Sequence, residues 1–317
     1  MARRKPATVH GLLAIDKPAG ITSHDVVDRV RGLLKERKVG HAGTLDPDAT
    51  GVLLLGVGDA TRLLRYLDVV PGGTMDKPST SKTYTAEVVL GTETSTLDAS
   101  GEVTATHDMS ETIATMTIEW VQGIVDAALS GLIMQTPPMV SALKVDGRRL
   151  HELAREGIEI ERQARPVTVH RFDVLSVEAN VVCIRVECSS GTYVRTLAAD
   201  LGHLLGGGAH VRDLRRVRVG HFDVADCVVL DVLTAEVIGE WLRPVSDCVR
   251  ALSRVAPNDL IRAAVKVGRV LPETVFDGSG PGPWAVVEGD DVLAVFEPFA
   301  NHKVGEGMAR PAIVLRA

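Results

Sequence analysis

The chain has 317 residues, of which 45% are hydrophobic, 24% charged and only 3% aromatic, with a formal net charge of −6. That is the composition of a globular protein with a sizeable buried core, so disorder is not the default. No apolar run approaches the roughly 20 residues that a bilayer-spanning helix demands, which excludes that class.

The basic start MARRKP is followed only by the short apolar segment Leu12–Ile15 before Asp16 and Lys17, too little for the hydrophobic region of a secretion signal. We therefore expect a cytoplasmic protein. Its four cysteines agree: Cys183, Cys188, Cys227 and Cys248 contain no CxxC pair and suggest neither a zinc site nor a disulfide framework. Charge is unevenly spread. The last 97 residues hold nine Lys and Arg against 14 Asp and Glu, whereas the first 220 hold 26 against 27. Within that neutral part, Asp28–His41 gathers five cations against two acids, and Arg212–Arg218 four arginines against one acid. Local patches, rather than overall charge, decide attraction to phosphates. Either patch alone is compatible with a solvated face; the two together make a nucleic-acid partner admissible.

In chain order, Val9–Ile15 predicts a short strand closed by the turn DKPAG, and Thr22–Glu36 a helix. Thr22 and Asp25 form its N-terminal cap, and Val26, Val27, Val30, Leu33 and Leu34 its apolar stripe. A glycine-rich loop, Val39–Gly51, comes next. Val52–Val57 predicts a buried strand, Asp59–Leu67 a helix, and Pro71–Thr80 a surface loop. Lys82–Leu90 predicts a strand, and GTETSTLDASGE a polar turn region. Helices are expected within Ile118–Leu129 and over Arg148–Glu156, with Gly157 ending the latter, and a strand over Val140–Val145. Arg165–Val177 and Val181–Cys188 alternate as an antiparallel pair. SSGTYVRTLAADLG turns into a helix near Thr192, and Val211–Val219 is a basic strand. A helical stretch near Leu230–Arg243 leads to a Pro- and Gly-punctuated tail with short strands at Trp284–Glu288 and Val292–Phe296. The mixture of hairpins and helices predicts an α+β fold with a mainly antiparallel sheet.

The loop VGHAGTLDPDATG raises the functional question, because it displays Asp46 among three glycines, one histidine, a second aspartate and a proline. From the residues alone four readings stand side by side. Asp46 is an ordinary turn aspartate; or the loop cradles a phosphate, although GxxxxGK[ST] is absent. Alternatively His41, Asp46 and Asp48 hold a metal, or Asp46 is a catalytic carboxylate.

A resemblance bears on that choice. GHAGTLDPDATGVL, with IDKPAGITSHDVV upstream, closely resembles the bacterial TruB-type tRNA pseudouridine-55 synthases. Further blocks follow in the order of that family: SKTYTAEVVLGTETSTLDASGEV, QTPPMVSALKVDGRRLHELAREGIEI, ARPVTVH, CSSGTYVRTLAADLG and GGGAHVRDLRRVRVG. They span most of Gly11–Gly220.

The resemblance implies the pseudouridine synthase fold, a mixed and mainly antiparallel sheet flanked by helices. A catalytic domain over 1–240 would carry a thumb-like, RNA-clamping insertion at 135–165. A small β-rich, PUA-like domain would occupy 250–317, although no clear copy of that module is visible and its acidity argues against strong RNA binding. The implied reaction is isomerisation of uridine 55 in the tRNA T stem-loop, without cofactor, metal, protein partner or membrane, by a monomer. Asp46 would be the essential aspartate, Arg195 its partner, and Tyr84 the tyrosine that stacks on the uracil and shares in removing the C5 proton. His41 would fill the space left by the flipped base, and Lys17 would have a structural or RNA-contacting role. Tyr193 and Leu214 would line the pocket. Arg148, Arg149, Arg212, Arg215 and Arg216 would meet phosphates.

Overall fold

The computed structural model describes residues 6–74, 77–141, 143–145, 147–301 and 305–315. Contacts divide the chain into two compact units, one formed by 1–45, 52–80 and 219–317, the other by 46–51 and 81–218.

The chain opens with strand β1 (Gly11–Lys17) and helix α1 (Ser23–Leu34). Thr22 and Asp25 cap that helix reciprocally, each side chain accepting the other's backbone N–H, and Val26, Val27 and Val30 form its buried stripe. Strand β2 (Val39–Ala42) pairs antiparallel with β3 (Thr50–Val57), His41 lying opposite Leu55. Asp59–Leu67 holds two short 3-10 turns, Gly58–Arg62 and Leu64–Tyr66, in place of the expected helix. An isolated helix of that length is marginal, and here Leu63, Tyr66 and Leu67 are buried in the core of the first unit. The segment expected as a surface loop contains a hairpin, β4 (Val69–Thr74) and β5 (Lys77–Thr80).

Strand β6 (Lys82–Leu90) coincides with its expected bounds, and β7 (Thr92–Thr94) and β8 (Val103–Thr106) form a small hairpin after it. Helices α2 (Ser110–Thr115) and α3 (Ile118–Ala128) lead to β9 (Gly131–Gln135). The expected strand over Val140–Val145 shrinks to β10 (Lys144–Val145), paired with β11 (Arg148–Arg149), and α4 covers Leu150–Arg155. Strands β12 (Arg165–Glu178) and β13 (Val181–Cys188) are the expected antiparallel pair. Helix α5 (Val194–Leu204) and strand β14 (Ala209–Val219) complete the second unit.

In the first unit a short parallel partner, Val228–Val229, flanks β1, which neighbours β3. In the second unit the sheet runs β14, β6, β13, β12, β9, and Thr50 and Gly51 pair in parallel with Arg215 and Arg216 on the free side of β14. The β6–β13–β12 pairs are antiparallel, and α3 and α5 close one face over a core that includes Val88, Val125, Val186, Leu197 and Leu201. This is a mixed, mainly antiparallel sheet with helices, as expected. The stretch expected to be helical near Leu230–Arg243 carries only short 3-10 turns, Leu230–Val232 and Ile238–Trp241. A five-stranded curled sheet with one helix, Asp259–Val267, occupies the C-terminal part. Phe276 stacks on Trp284 at its core, with ring centroids 4.7 Å apart. Among the described residues no helix is long and apolar enough to cross a membrane.

Candidate active site

The chain is pinned just before Asp46 and again after it. Immediately before it, buried Leu45 exchanges two hydrogen bonds with buried Ser23 of α1: its amide donates to Ser23 Oγ at 2.8 Å, and the hydroxyl donates to its carbonyl at 3.0 Å. Within the loop, the amide of Ala49 donates to the Asp46 carbonyl at 3.2 Å. Behind it, Gly51 has φ +99°, and a Cβ there would lie 2.1 Å from the Arg216 carbonyl oxygen. Only glycine lets the loop dock this closely on β14.

Arg195 lies beneath the aspartate. It is the second residue of α5 and only 3% exposed. Its Nε lies 3.0 Å from Asp46 Oδ2, and its Nη2 donates to Asp46 Oδ1 at 3.3 Å. This is the fork geometry that suits a guanidinium to a carboxylate. The remaining donors meet the Thr96 carbonyl at 2.6 Å, the Val140 carbonyl at 2.8 Å and Asp98 Oδ2 at 3.5 Å. A buried cation is tolerated only when its donors are met this fully. Asp46 itself is 39% exposed, so it faces solvent with its counter-ion behind it.

Two supports of this pair are missing from the sequence reading: Asp98 and Gln135. Asp98 Oδ1 accepts from Thr96 Oγ1, the Ser100 amide and Ser100 Oγ at 2.6, 3.1 and 2.5 Å. This Asx-type turn holds the Asp98 carboxylate toward Arg195. Gln135, 2% exposed at the end of β9, brackets the peptide unit that begins α5. Its Oε1 accepts from the Tyr193 amide at 2.7 Å and its Nε2 donates to the Tyr193 carbonyl at 3.1 Å. Tyr193, the N-cap residue, has no side-chain cap bond, so this amide clamp fixes the helix start that carries Arg195. The only signal in the sequence is that both sit in the blocks quoted above.

Tyr84 lies on β6 opposite Val186 and packs, partly buried, against the sheet core. Burial pushes its phenol up, and the guanidinium of Arg216, hydrogen-bonded to it, opposes that rise. Leu214 packs on the same core, and the Arg165 guanidinium lies 5.4 Å above the Tyr193 ring. His41 belongs to the other unit, on β2.

Two of the residues expected to support or contact RNA are buried. Lys17 is fully buried and its ammonium donates to the Pro18 and Ile21 carbonyls at 2.8 and 2.7 Å, clamping the DKPAG turn, in keeping with the structural role expected of it. Arg216, expected to meet a phosphate, is 1% exposed. Arg212 and Arg148 are exposed but carry carboxylate partners, Glu87 and Glu156, each at 2.5 Å. Arg215 donates to Thr50 Oγ1 at 3.3 Å, and the side chain of Arg149 lies outside the described residues. Among the described residues no three His, Cys, Asp or Glu side chains converge on a metal-binding position.

The comparisons with known proteins decide the family. The model of the TruB family pseudouridylate synthase N-terminal domain matches residues 31–194, and that of the tRNA pseudouridylate synthase B C-terminal domain matches 195–250. The chain belongs to the TruB pseudouridylate synthase family. It is 42% identical to the tRNA pseudouridine synthase B of Arthrobacter sp. (strain FB24), the alignment covering 96% of each chain. It is 45% identical to the protein of that name from Aromatoleum aromaticum, over 85% of this chain and 83% of the other. A solved H/ACA ribonucleoprotein bound to a substrate RNA containing 2'-deoxyuridine has a component of the same fold. There the TM-score is 0.66 at 23% identity, over 97% of this chain and 85% of that one. The two family models meet between Val194 and Arg195, so the pair Asp46–Arg195 joins residues from both.

Proposed function

We propose that this chain isomerises uridine 55 in the T-loop of tRNA to pseudouridine, with Asp46 as the essential carboxylate. The observation that carries the reading is the half-exposed carboxylate of Asp46 held by the buried fork of Arg195. Relatives named tRNA pseudouridine synthase B, similar along almost the whole chain, support the substrate.

The reaction breaks the N1–C1′ bond of uridine, turns the retained base, and joins C5 to C1′. C5 loses a proton and N1 gains one, so substrate and product are isomers and the balance requires no redox partner. A carboxylate can serve by attacking the base or the sugar, or by taking a ribose proton. All three routes need it ionised, and a guanidinium at hydrogen-bond distance favours that form. The uridine is stacked within its loop and must be flipped out to reach Asp46. His41 fills the vacated space, Tyr84 stacks on the uracil, and Tyr193 and Leu214 line the pocket. In this reading 1–240 is the catalytic domain with its thumb at 135–165, and 250–317 is the PUA-like module. The enzyme works in the cytoplasm as a monomer on bare tRNA. A guide-RNA-dependent enzyme of the same superfamily would need partner proteins, and the similarity to the H/ACA component is a likeness of fold alone.

The test uses purified protein and unmodified tRNA tritiated at uracil C5. We expect tritium release to water without added cofactor, its loss in Asp46→Asn, and its loss when uridine 55 is replaced by cytidine. Binding of tRNA without release by the wild type would refute the reading.

A further inference from the structure

In the first unit a cavity of about 1100 Å³ gathers four of the five cations of the Asp28–His41 run: Arg31, Lys35, Arg37 and Lys38. Two carboxylates also line it, and both are engaged within the protein. Glu36, 8% exposed, accepts the backbone amides of Thr8 and Lys38, each at 3.0 Å. Asp59 pairs with Lys38 Nζ at 3.1 Å. Arg31 is held as well, by Asp28 at 2.8 Å and by the Val39 carbonyl at 2.9 Å. Lys35 and Arg37, both exposed, have no side-chain partner among the described residues. Two unpaired cations on the wall of a cleft focus a positive field there, in a chain whose net charge is −6. Lys35 also occupies a slot that does not suit it. It ends α1 in the left-handed region, at φ 52° and ψ 31°, where glycine is the usual residue. A lysine there bears strain that glycine would not, and strain kept at one position points to a use for that side chain.

We infer that this cavity holds phosphate groups of an RNA backbone, contacted by Lys35 and Arg37. The ligand class follows from the lining. Among the described lining residues the one ring is His10, whose Nδ1 accepts the Asp59 amide at 3.0 Å. The cavity therefore offers no aromatic platform on which a base could stack, and it reads charge and shape instead of sequence. It lies at the upper end of ligand-cavity volumes, with room for more than one phosphate group. The negative end of α1 is blunted, because the Arg31 and Gly32 carbonyls accept from the Glu36 and Lys35 amides at 3.2 and 3.4 Å. Position favours RNA over a free phosphoanion as the source. Lys38 immediately precedes β2, and His41 lies three residues further along, about 10 Å away at the spacing of a strand. With His41 inserted in the T-loop, the cavity is within reach of the backbone flanking that loop. This placement rests on the reading of the chain as a tRNA pseudouridine synthase.

The experiment compares wild type, Lys35→Gly, Arg37→Gln and the double variant in anisotropy titrations of fluorescein-labelled, unmodified tRNA at several salt concentrations. Each phosphate contact contributes about 0.9 to the slope of log K against log[salt]. The double variant should therefore lose about 1.8 of slope, and at about 0.1 M salt its affinity should fall roughly 60-fold, the gap closing as salt approaches about 1 M. In tritium release the loss should sit in KM, with kcat at saturating tRNA unchanged, because neither residue belongs to the active site. Thermal unfolding should separate use from structure: Lys35→Gly should melt no lower than wild type although it binds tRNA less tightly. Acetylation of the native protein, read by mass spectrometry, locates the contact, since bound tRNA should shield Lys35. An unchanged slope in the double variant overturns the inference. So does shielding of Lys35 by pyrophosphate and not by tRNA, which would assign the cavity to a free phosphoanion. A wild type that shows the salt slopes but releases no tritium fails the functional reading and leaves this contact standing, because the titration needs no turnover.

Discussion

Gly51→Ala should uncouple catalysis from folding. At φ +99° an alanine is strained, at about 1–3 kcal/mol for a residue forced into a sparsely populated region. Its Cβ would also meet the Arg216 carbonyl oxygen at 2.1 Å, whereas real Cβ atoms keep at least 3.0 Å, so the loop or β14 must give by about 0.9 Å. The obstacle is backbone, which cannot swing aside as a side-chain tip can. Displacing a catalytic group by about 1 Å can cost 10²-fold in rate. Asp46 is five residues upstream on the same loop, and its bonds to Arg195, at 3.0 and 3.3 Å, have little slack before they are lost. Tritium release and thermal unfolding should be measured together, with Gly206→Ala as the comparison. Gly206 has φ +91° but nothing within 4 Å of its Cβ position, so it bears the conformational strain without the clash. We expect both variants to lose stability and only Gly51→Ala to lose about two orders of magnitude in rate. Equal rates in the two variants would refute the argument that Gly51 sets the position of Asp46.

Arg195→Lys replaces a fork that meets Asp46, Asp98 and two carbonyls by a single ammonium. Leaving a buried acceptor unmet costs about 1–3 kcal/mol, so denaturant unfolding should show a loss of that size, together with a severe loss of turnover. Glu93 accepts from His107 and His203 at 2.9 and 3.1 Å. Burial pushes its carboxyl up, but the hydrogen bonds and charges of the two histidines outweigh this and bring it below the ordinary 4.5. A lowered folded value stabilises the protein above the unfolded value and the gain is lost as pH falls through the folded one. The stability difference between wild type and Glu93→Gln should therefore hold at neutral pH, begin to shrink near pH 4.5 and vanish in stronger acid, as chemical unfolding across that range would show. Burial pushes the thiols of Cys188, Cys227 and Cys248 up to about 11, 12 and 12, so mass spectrometry after brief alkylation of the native protein should find all three unmodified.

Much of the second unit is legible in the sequence because its signals are local. Lys82–Leu90 alternates as a half-buried strand must, and β12 and β13 show the same period of two. The Thr22–Asp25 box fixes the start of α1 for the same reason. The misread segments are those that tertiary contacts decide. Asp59–Leu67 offers helix-compatible residues, but the first-unit core takes Leu63, Tyr66 and Leu67 from consecutive tight turns. At the site, Asp46 and Arg195 are named by the blocks they sit in, whereas their supports are not. Asp98 resembles any turn aspartate until Arg195, 97 positions later, is brought beside it. Gln135 looks like a surface polar residue, yet it is 2% exposed and spends its side chain on backbone groups far along the chain. Lys17 and Arg216 show the converse, because the burial of a charged residue in a turn or a basic strand is not visible in the sequence.

The central claim, that Asp46 on its Arg195 support carries out the isomerisation of uridine 55, is tested most directly by mapping pseudouridine in unmodified tRNA after incubation with wild type or Asp46→Asn. Carbodiimide-dependent stops in reverse transcription read the position, and a filter-binding assay reads tRNA affinity in the same samples. The account predicts a stop at position 55 with the wild type only, and affinity for tRNA kept by both proteins. A stop at position 55 with Asp46→Asn, or a wild-type stop elsewhere and none at 55, would contradict it.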